Sequence, residues 1–288
     1  MNVWDLPIED KERLKGQKVI LSMSGGKDST AAALLLERHG IDFTSVFMDT
    51  GWEHPATYEY VDQVLLPRFG NIVKVSANFP DPDDEGQFVA LIRKKGIFPS
   101  RLTRFCTTEL KMKPFKKFLD AQDDECVTVV GIRRQESKAR SAYERWKFND
   151  LYDGYMFSPL VDHTFEDVIQ MHQEGGIQPN PLYLQGAERV GCFPCIFARK
   201  SEVKMGAKVY PKRYQDIERL EEQTGMTFFH NRGGQSKIKD VVAWAQTERG
   251  GKQFSMFDFT AQDGCTRWGL CEAPESNRDF VQVEEPEK

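Results

Sequence analysis

Apolar positions in the first half of the chain fall in short β-rich runs at residues 18–23, 44–48, 72–75 and 127–130. Longer stretches with helical spacing separate them, at 30–39, 57–68, 85–95 and 113–121. This alternation predicts a parallel sheet with crossover helices, closed by a fifth strand near 155–160. From about Val161 the pattern changes. Residues 164–173 read as a helix with Thr164 as N-cap and Asp167 at the third helical position. A loop over 175–181, a cysteine pair, a helix over 213–224 and a second cysteine pair follow. The expected organisation is an α/β domain over 1–160, a mainly helical cysteine-bearing region over 161–275 and an acidic, disordered tail over 276–288.

The most specific element lies where the first strand turns into the first helix, at Ser24-Gly25-Gly26-Lys27-Asp28-Ser29. A glycine turn that opens into a helix N-terminus points backbone N–H groups and the positive end of the helix dipole at a bound anion. Gly25 and Gly26 allow positive φ and close approach, Lys27 adds a cation, and Ser24, Ser29 and Thr30 add hydroxyls. With Ser22, these residues are the candidate phosphate ligands. A Walker A loop needs a glycine where Leu21 stands, and no G-x-G-x-x-G dinucleotide loop replaces it.

Composition narrows the class without naming it. Hydrophobic residues make up 40% and charged residues 29%, ordinary for a globular chain, and no apolar run reaches the length of a membrane span. The first residues lack a basic-then-apolar leader, so a cytoplasmic location is expected, with no membrane partner. Net charge is −5, yet residues 93–117 hold nine Lys/Arg against Glu109, and 199–213 hold six against Glu202. Basic runs beside the candidate motifs suit an anionic substrate and leave a nucleic-acid partner open.

Two more motifs end expected strands. Asp49 of Asp49-Thr50-Gly51 stands where a carboxylate commonly bonds a ribose or base. Gly131-Ile132-Arg133-Arg134-Gln135-Glu136-Ser137 brings guanidinium groups suited to phosphate or sulfate, together with Glu136. Glu136 and Arg140 also have the spacing of a plain helical ion pair, and both readings stand. The serines lack any neighbouring histidine–acid pattern for a hydrolytic triad, and the five histidines show no ligand spacing. The segment 233–237 reads as a flexible turn, and Cys126 as a packing residue.

Taken in order, Ser24–Ser29, Asp49–Gly51, Arg104-Phe105-Cys106-Thr107 with Leu110-Lys111 and Pro114, Gly131–Ser137, Asn180-Pro181-Leu182-Tyr183 and Arg189-Val190-Gly191-Cys192 resemble the phosphoadenosine phosphosulfate (PAPS) reductase family. That family lies within the PP-loop superfamily of ATP pyrophosphatases and sulfonucleotide reductases. The likeness runs from about Gln17 to Cys195, with a weaker echo at 265–272. It implies a Rossmann-like PP-loop domain that binds an adenine nucleotide. Ser24–Ser29 would hold the phosphates, Asp49 would sit near the nucleoside, and Arg133 with Lys111 would hold the reacting anionic end. Lys27, Asp28, Lys111, Arg133 and Cys106 are the candidate catalytic residues, and Gly131 and Glu136 join the nucleotide set.

Departures from the family pattern choose among its chemistries. No cysteine follows Cys271, whereas sulfonucleotide reductases use a cysteine in a mobile tail, and Phe105-Cys106 stands where cluster-bearing adenylylsulfate reductases have adjacent cysteines. The intact loop instead suits ATP with Mg²⁺, cleaved between the α- and β-phosphates to adenylate an acceptor for sulfur insertion, as in DNA phosphorothioation ATP pyrophosphatases. Cys192-Phe193-Pro194-Cys195 and the pair Cys265 and Cys271 offer four thiolates for a 4Fe–4S cluster, with zinc or a redox dithiol as alternatives. Cys106, beside Arg104 and Lys111, is expected to have a lowered pKa if exposed, as a sulfur carrier or nucleophile; a structural role is the alternative. The leading expectation is an ATP-dependent sulfur-transfer enzyme fed by a sulfur donor such as a cysteine desulfurase. Its alternatives are a PAPS or adenylylsulfate reductase served by a thioredoxin-like reductant, and a nucleotide-binding regulatory subunit with a structural metal. A homo-oligomer is left open.

Overall fold

A computed structural model describes residues 2–231, 234–247 and 268. Six strands, β1 (Lys18–Met23), β2 (Thr44–Asp49), β3 (Ile72–Ser76), β4 (Cys126–Val129), β5 (Trp146–Asn149) and β6 (Gly154–Phe157), form one sheet in the order β3-β2-β1-β4-β6-β5. β1 runs parallel to both β2 and β4, β4 runs parallel to β6, and β5 runs antiparallel to β6. The expected Rossmann-like α/β architecture is the one observed. Five of the strands fall on the predicted runs; in the central ones the apolar residues are buried on the sheet faces, with Ile20, Leu21, Val46 and Val129 fully enclosed.

The sixth strand, β5, was not predicted. It is an edge strand with Lys147 and Phe148 exposed, so no alternating or continuous apolar run marks it. Trp146 is what attaches it, stacking on Phe157 at 4.4 Å between ring centroids. The first crossover helix, Lys27–Arg38, begins three residues before its predicted start at Thr30. Its first turn is polar and belongs to the loop, so apolar periodicity does not reach it. Thr164 caps the helix Phe165–Glu174 as expected, its hydroxyl accepting from the Asp167 amide at 3.1 Å while the Asp167 carboxylate accepts from the Thr164 amide at 2.7 Å.

The described residues divide into two compact units, one of residues 2–48, 56–75 and 112–180, the other of 49–55, 76–111 and those described from 181 onward. The core of the first lies on both sides of the sheet. Leu34, Leu35, Leu36, Val61, Leu65 and Met171 cover one side, and Phe115 and Leu119 pack on Ile20 and Val46. The second unit packs the helices Gln87–Lys95, Lys200–Val209, Pro211–Thr224 and Ile238–Gln246 around Leu91, Ile92, Val203, Ile217, Leu220 and Phe228. Its buried Glu221 accepts from the Phe228 amide at 2.8 Å and the Ile238 amide at 2.9 Å, tying both segments to the helix Pro211–Thr224. The segment read as a turn at 233–237 instead contributes β8 (Gly234–Ser236), paired antiparallel with β7 (Phe229–Asn231). Among the described residues no helix is long and apolar enough to cross a membrane.

Candidate functional site

In the first unit the phosphate-loop candidates form a turn shaped by its own hydroxyls. The Ser29 hydroxyl donates to the Gly26 carbonyl at 2.9 Å and accepts from the Ser24 amide at 3.2 Å, and the Ser24 hydroxyl accepts from the Gly26 amide at 3.3 Å. Thr30 also donates to the Gly26 carbonyl, at 3.1 Å. Ser22 lies inside β1, in register with Val46. Gly25 has φ +69°, and a Cβ there would press on the Thr57 and Val61 methyls at 3.1 and 3.2 Å. Asn180 clasps this turn, its amide donating to the Gly25 carbonyl at 3.2 Å and the Thr57 hydroxyl at 3.3 Å.

The helix Lys27–Arg38 starts at Gly26 with no side-chain cap. A helix start without a side-chain cap presents the positive end of its dipole, which favours an anion. Lys27 is 6% exposed, with Nζ 3.3 Å from the Asp28 carboxylate. Arg133, 3% exposed, reaches the other Asp28 oxygen through Nε at 2.6 Å. Gly131 makes this meeting feasible. A Cβ on it would stand 2.5 Å from the Asp28 carbonyl carbon and 2.7 Å from the Ser29 amide nitrogen. The segment after β4 thus lies directly against the helix start, and Asp28 sits between two buried cations. The His172 imidazole bonds the main chain of the same turn, its Nε2 3.0 Å from the Lys27 carbonyl, and burial keeps its pKa below the ordinary value.

Glu136 takes a local role in this arrangement. Its carboxylate accepts from the Arg133 amide at 2.9 Å and pairs with Arg140 across extended Ser137, so the ion pair forms at the expected spacing without a continuous helix.

The second unit builds a different group of residues. Asp49 closes β2, its carboxylate accepting from the Gly51 amide at 2.8 Å. Gly51 has φ +66° and abuts Gly86 so closely that a Cβ would meet the Gly86 Cα at 2.6 Å. The tight turn directs Glu53 inward. Only 2% exposed, Glu53 accepts from the Thr50 amide at 3.1 Å, the Thr50 hydroxyl at 2.8 Å and the Trp52 amide at 3.3 Å. Lys111 Nζ lies 4.0 Å from its carboxylate and Cys192 Sγ 3.8 Å. The Cys-Phe-Pro-Cys turn is stitched to the same segment, since Phe193 N donates to the Trp52 carbonyl at 2.7 Å and Trp52 Nε1 to the Pro194 carbonyl at 3.2 Å.

Cys106, Cys192 and Cys195 line one cleft of about 250 Å³ with Thr50, Arg104 and Lys111. Burial pushes the Cys192 thiol up to about 11, against the pull of the Lys111 ammonium. The Cys192 sulfur, once ionised, and the Glu53 carboxylate favour the charged form of Lys111 and hold it above the ordinary lysine value. The lowered pKa expected of Cys106 required exposure; the residue is half-buried, and burial raises its thiol pKa. Cys265 and Cys271 lie outside the described residues, and among the described residues no three His, Cys, Asp or Glu side chains are grouped closely enough to hold one metal ion.

Glu53, Thr50 and Asn180 were not singled out in the sequence as site residues. The available signal for Glu53 was a carboxylate set among Trp52, His54 and Pro55, an apolar setting that a solvent-facing acid does not need. His54 packs edge-on against Phe193 at 4.9 Å and Tyr210 at 5.0 Å, and burial with the nearby Arg213 guanidinium lowers its pKa to about 4.

An uncharacterised 37.8 kDa protein of Escherichia phage 186 is 33% identical over 310 residues, covering 84% of this chain and 92% of the phage protein. An adenosine 5'-phosphosulfate reductase of Salinibacter ruber is 27% identical over 153 residues, 53% of this chain and 57% of the reductase, so the alignment spans little more than half of that enzyme. The crystal structure of a PAPS reductase from Candida auris in complex with phosphate aligns at a TM-score of 0.49 and 14% identity, over 66% of this chain and 98% of that one. The model of the phosphoadenosine phosphosulfate reductase domain matches residues 18–198, which carry the Ser24–Ser29 loop, Gly131 with Arg133, and the first cysteine pair, and the chain belongs to that family.

Proposed function

We propose that the protein holds ATP by its phosphates at Ser24–Ser29 and adenylates an acceptor for sulfur transfer. One observation carries the reading: uncapped helix amides, the Lys27 ammonium and the Arg133 guanidinium all gather around Asp28. An acceptor oxygen attacking the α-phosphorus forms the new O–P bond as the bond to the β-phosphate oxygen breaks, releasing pyrophosphate. The amides and Lys27 meet the negative charge that grows on this leaving group. Asp28 keeps both cations in place beforehand, and an entering polyphosphate competes with it for them. Mg²⁺ arrives with the nucleotide as part of the substrate. Asp49, Gly131 and Glu136 are the further proposed nucleotide contacts, and a sulfur donor such as a cysteine desulfurase supplies the nucleophile that displaces AMP.

Cys192 and Cys195, with Cys265 and Cys271, are proposed to hold a 4Fe–4S cluster, with zinc as the alternative. Soft thiol donors fit either group, and Cys106 adds a third thiol to the cleft that Cys192 and Cys195 line. A cluster supplies sulfide or electron delivery, whereas zinc supplies a fixed tetrahedral centre. Lys111, held charged beside Cys192, would balance thiolate charge there.

The resemblance to adenosine 5'-phosphosulfate reductases favours a second reading, reduction of a sulfonucleotide with electrons from a thioredoxin-like protein. Pyrophosphate release from ATP and sulfite release from adenylylsulfate, measured side by side with each donor, separate the two. Lys27→Ala should weaken ATP binding by about 1–3 kcal/mol through loss of a charge-assisted contact. Sulfite from adenylylsulfate with no pyrophosphate from ATP would replace the first reading by the second, and unchanged ATP affinity in Lys27→Ala would remove the loop from both.

A further inference from the structure

Four cations of the second unit take no part in the groups described above, and a fifth, Arg104, also lines the cysteine cleft. Lys94 stands over Phe79 at 4.9 Å, Lys95 over Phe105 at 5.9 Å, Arg101 and Arg104 over Phe197 at 5.9 and 4.9 Å, and Lys200 over Trp244. None of the five has a carboxylate partner among the described residues. Several acids of the same unit are engaged elsewhere: Asp81, Asp83 and Glu85 pair with Arg93, Glu85 also with Arg219, and Glu188 with Arg199. Lys94, Lys95, Arg101 and Arg104 are exposed, while the rings beneath them are half-buried.

Phe197, Arg101, Arg199 and Lys200 line one cleft of about 190 Å³ floored by Phe228 and Val241. At its margin Leu102, between two of the arginines, is 98% exposed. A cation held over a ring keeps its full charge for an anion, and the ring keeps a face for a planar group. An acidic peptide would use the cations and leave the rings and Leu102 without a purpose. A polymer alternating phosphates with planar bases uses all three, and its bases are available for stacking only when it is unpaired.

We propose that this basic-aromatic surface, centred on Phe197, binds single-stranded nucleic acid. The proposal goes beyond the sulfur-transfer reading and does not depend on it; where both hold, the bound strand is the acceptor.

The test uses the full chain and a fluorescein-labelled single strand of about 20 nucleotides, followed by anisotropy over a salt series without ATP. With four exposed cations on the phosphates, log K should fall against log salt with a slope of about −3. Lys95→Ala combined with Arg101→Ala should flatten that slope by about 1.4. Phe197→Leu should weaken binding roughly tenfold and leave the slope unchanged. Circular dichroism and thermal midpoints matching the wild type show that each variant is folded. Absence of binding at low salt, a slope that the double variant does not alter, or tighter binding to the duplex of the same sequence each overturns the proposal.

Discussion

Gly131→Ala is the sharpest probe of the nucleotide site, because it adds one methyl where the structure has no room. The new Cβ would lie 2.5 Å from the Asp28 carbonyl carbon, 2.6 Å from its oxygen and 2.7 Å from the Ser29 nitrogen, all backbone atoms. Ordinary van der Waals contact begins near 3.4 Å, so the helix start and the Gly131–Arg133 segment must separate by ~0.9 Å. No flexible side chain absorbs that movement. Overpacking of this kind costs about 1–3 kcal/mol, which lowers the thermal midpoint of a domain this size by roughly 4–8 °C at the middle of that range. The same displacement carries Arg133 off Asp28 and away from the phosphates. A misplacement near 1 Å costs on the order of 100-fold in a positioned reaction. The assay pairs differential scanning fluorimetry with calorimetric titration of ATP and pyrophosphate release. Gly191→Ala is the control, since a Cβ there meets nothing within 4 Å and φ is not positive. A Gly131→Ala protein matching Gly191→Ala in midpoint, ATP affinity and turnover would refute the close-approach argument.

His54 predicts a pH effect on stability. Its pKa falls from 6.5 to about 4 on folding, first through burial and then through Arg213, so the native state holds it neutral. That contribution is complete above pH 6.5 and is lost as pH falls towards 4, to a limit of about 3 kcal/mol; midpoints measured from pH 7 to 5 should decline, and less steeply in His54→Phe. Glu53→Gln should cost about 1.5–3 kcal/mol, because the amide turns one acceptor into a donor facing Thr50 and Trp52 and removes the charge beside Lys111; urea denaturation reads it, and an unchanged midpoint contradicts the assigned bonds. Cys192→Ser should abolish iron and sulfide, with the brown colour, in anaerobically purified protein; a colourless wild type containing stoichiometric zinc selects the other metal.

Much of the sheet was legible because β1, β2 and β4 are buried on both faces and must therefore be continuous apolar runs. The Ser24–Ser29 loop was legible for a related reason: a turn from a buried strand into a helix N-terminus needs a particular order of small, basic and hydroxyl residues, and that order is local. β5 escaped because an exposed edge strand carries no burial pattern, and the helix Lys200–Val209 because its three lysines dilute the apolar stripe formed by Val203 and Gly206. Glu53 could be read as any loop acid. Its meaning depends on Thr50 folding back onto it and on Lys111 and Cys192, from 58 and 139 residues further along the chain, reaching its carboxylate.

Cys106 shows most directly where sequence reasoning stops. Its basic neighbours in sequence argue for a reactive thiolate, but a pKa follows what surrounds the sulfur in space, and burial dominates there. By itself the sequence determined the strand order's raw material, the phosphate loop and the family, since each depends on short-range pattern. The tertiary structure alone decided that Gly131 must lack a side chain, that Asp28 stands between Lys27 and Arg133, and that Glu53 underlies the cysteine cleft. Those are contacts between segments far apart in the chain, and packing, desolvation and charge pairing act on distance in space.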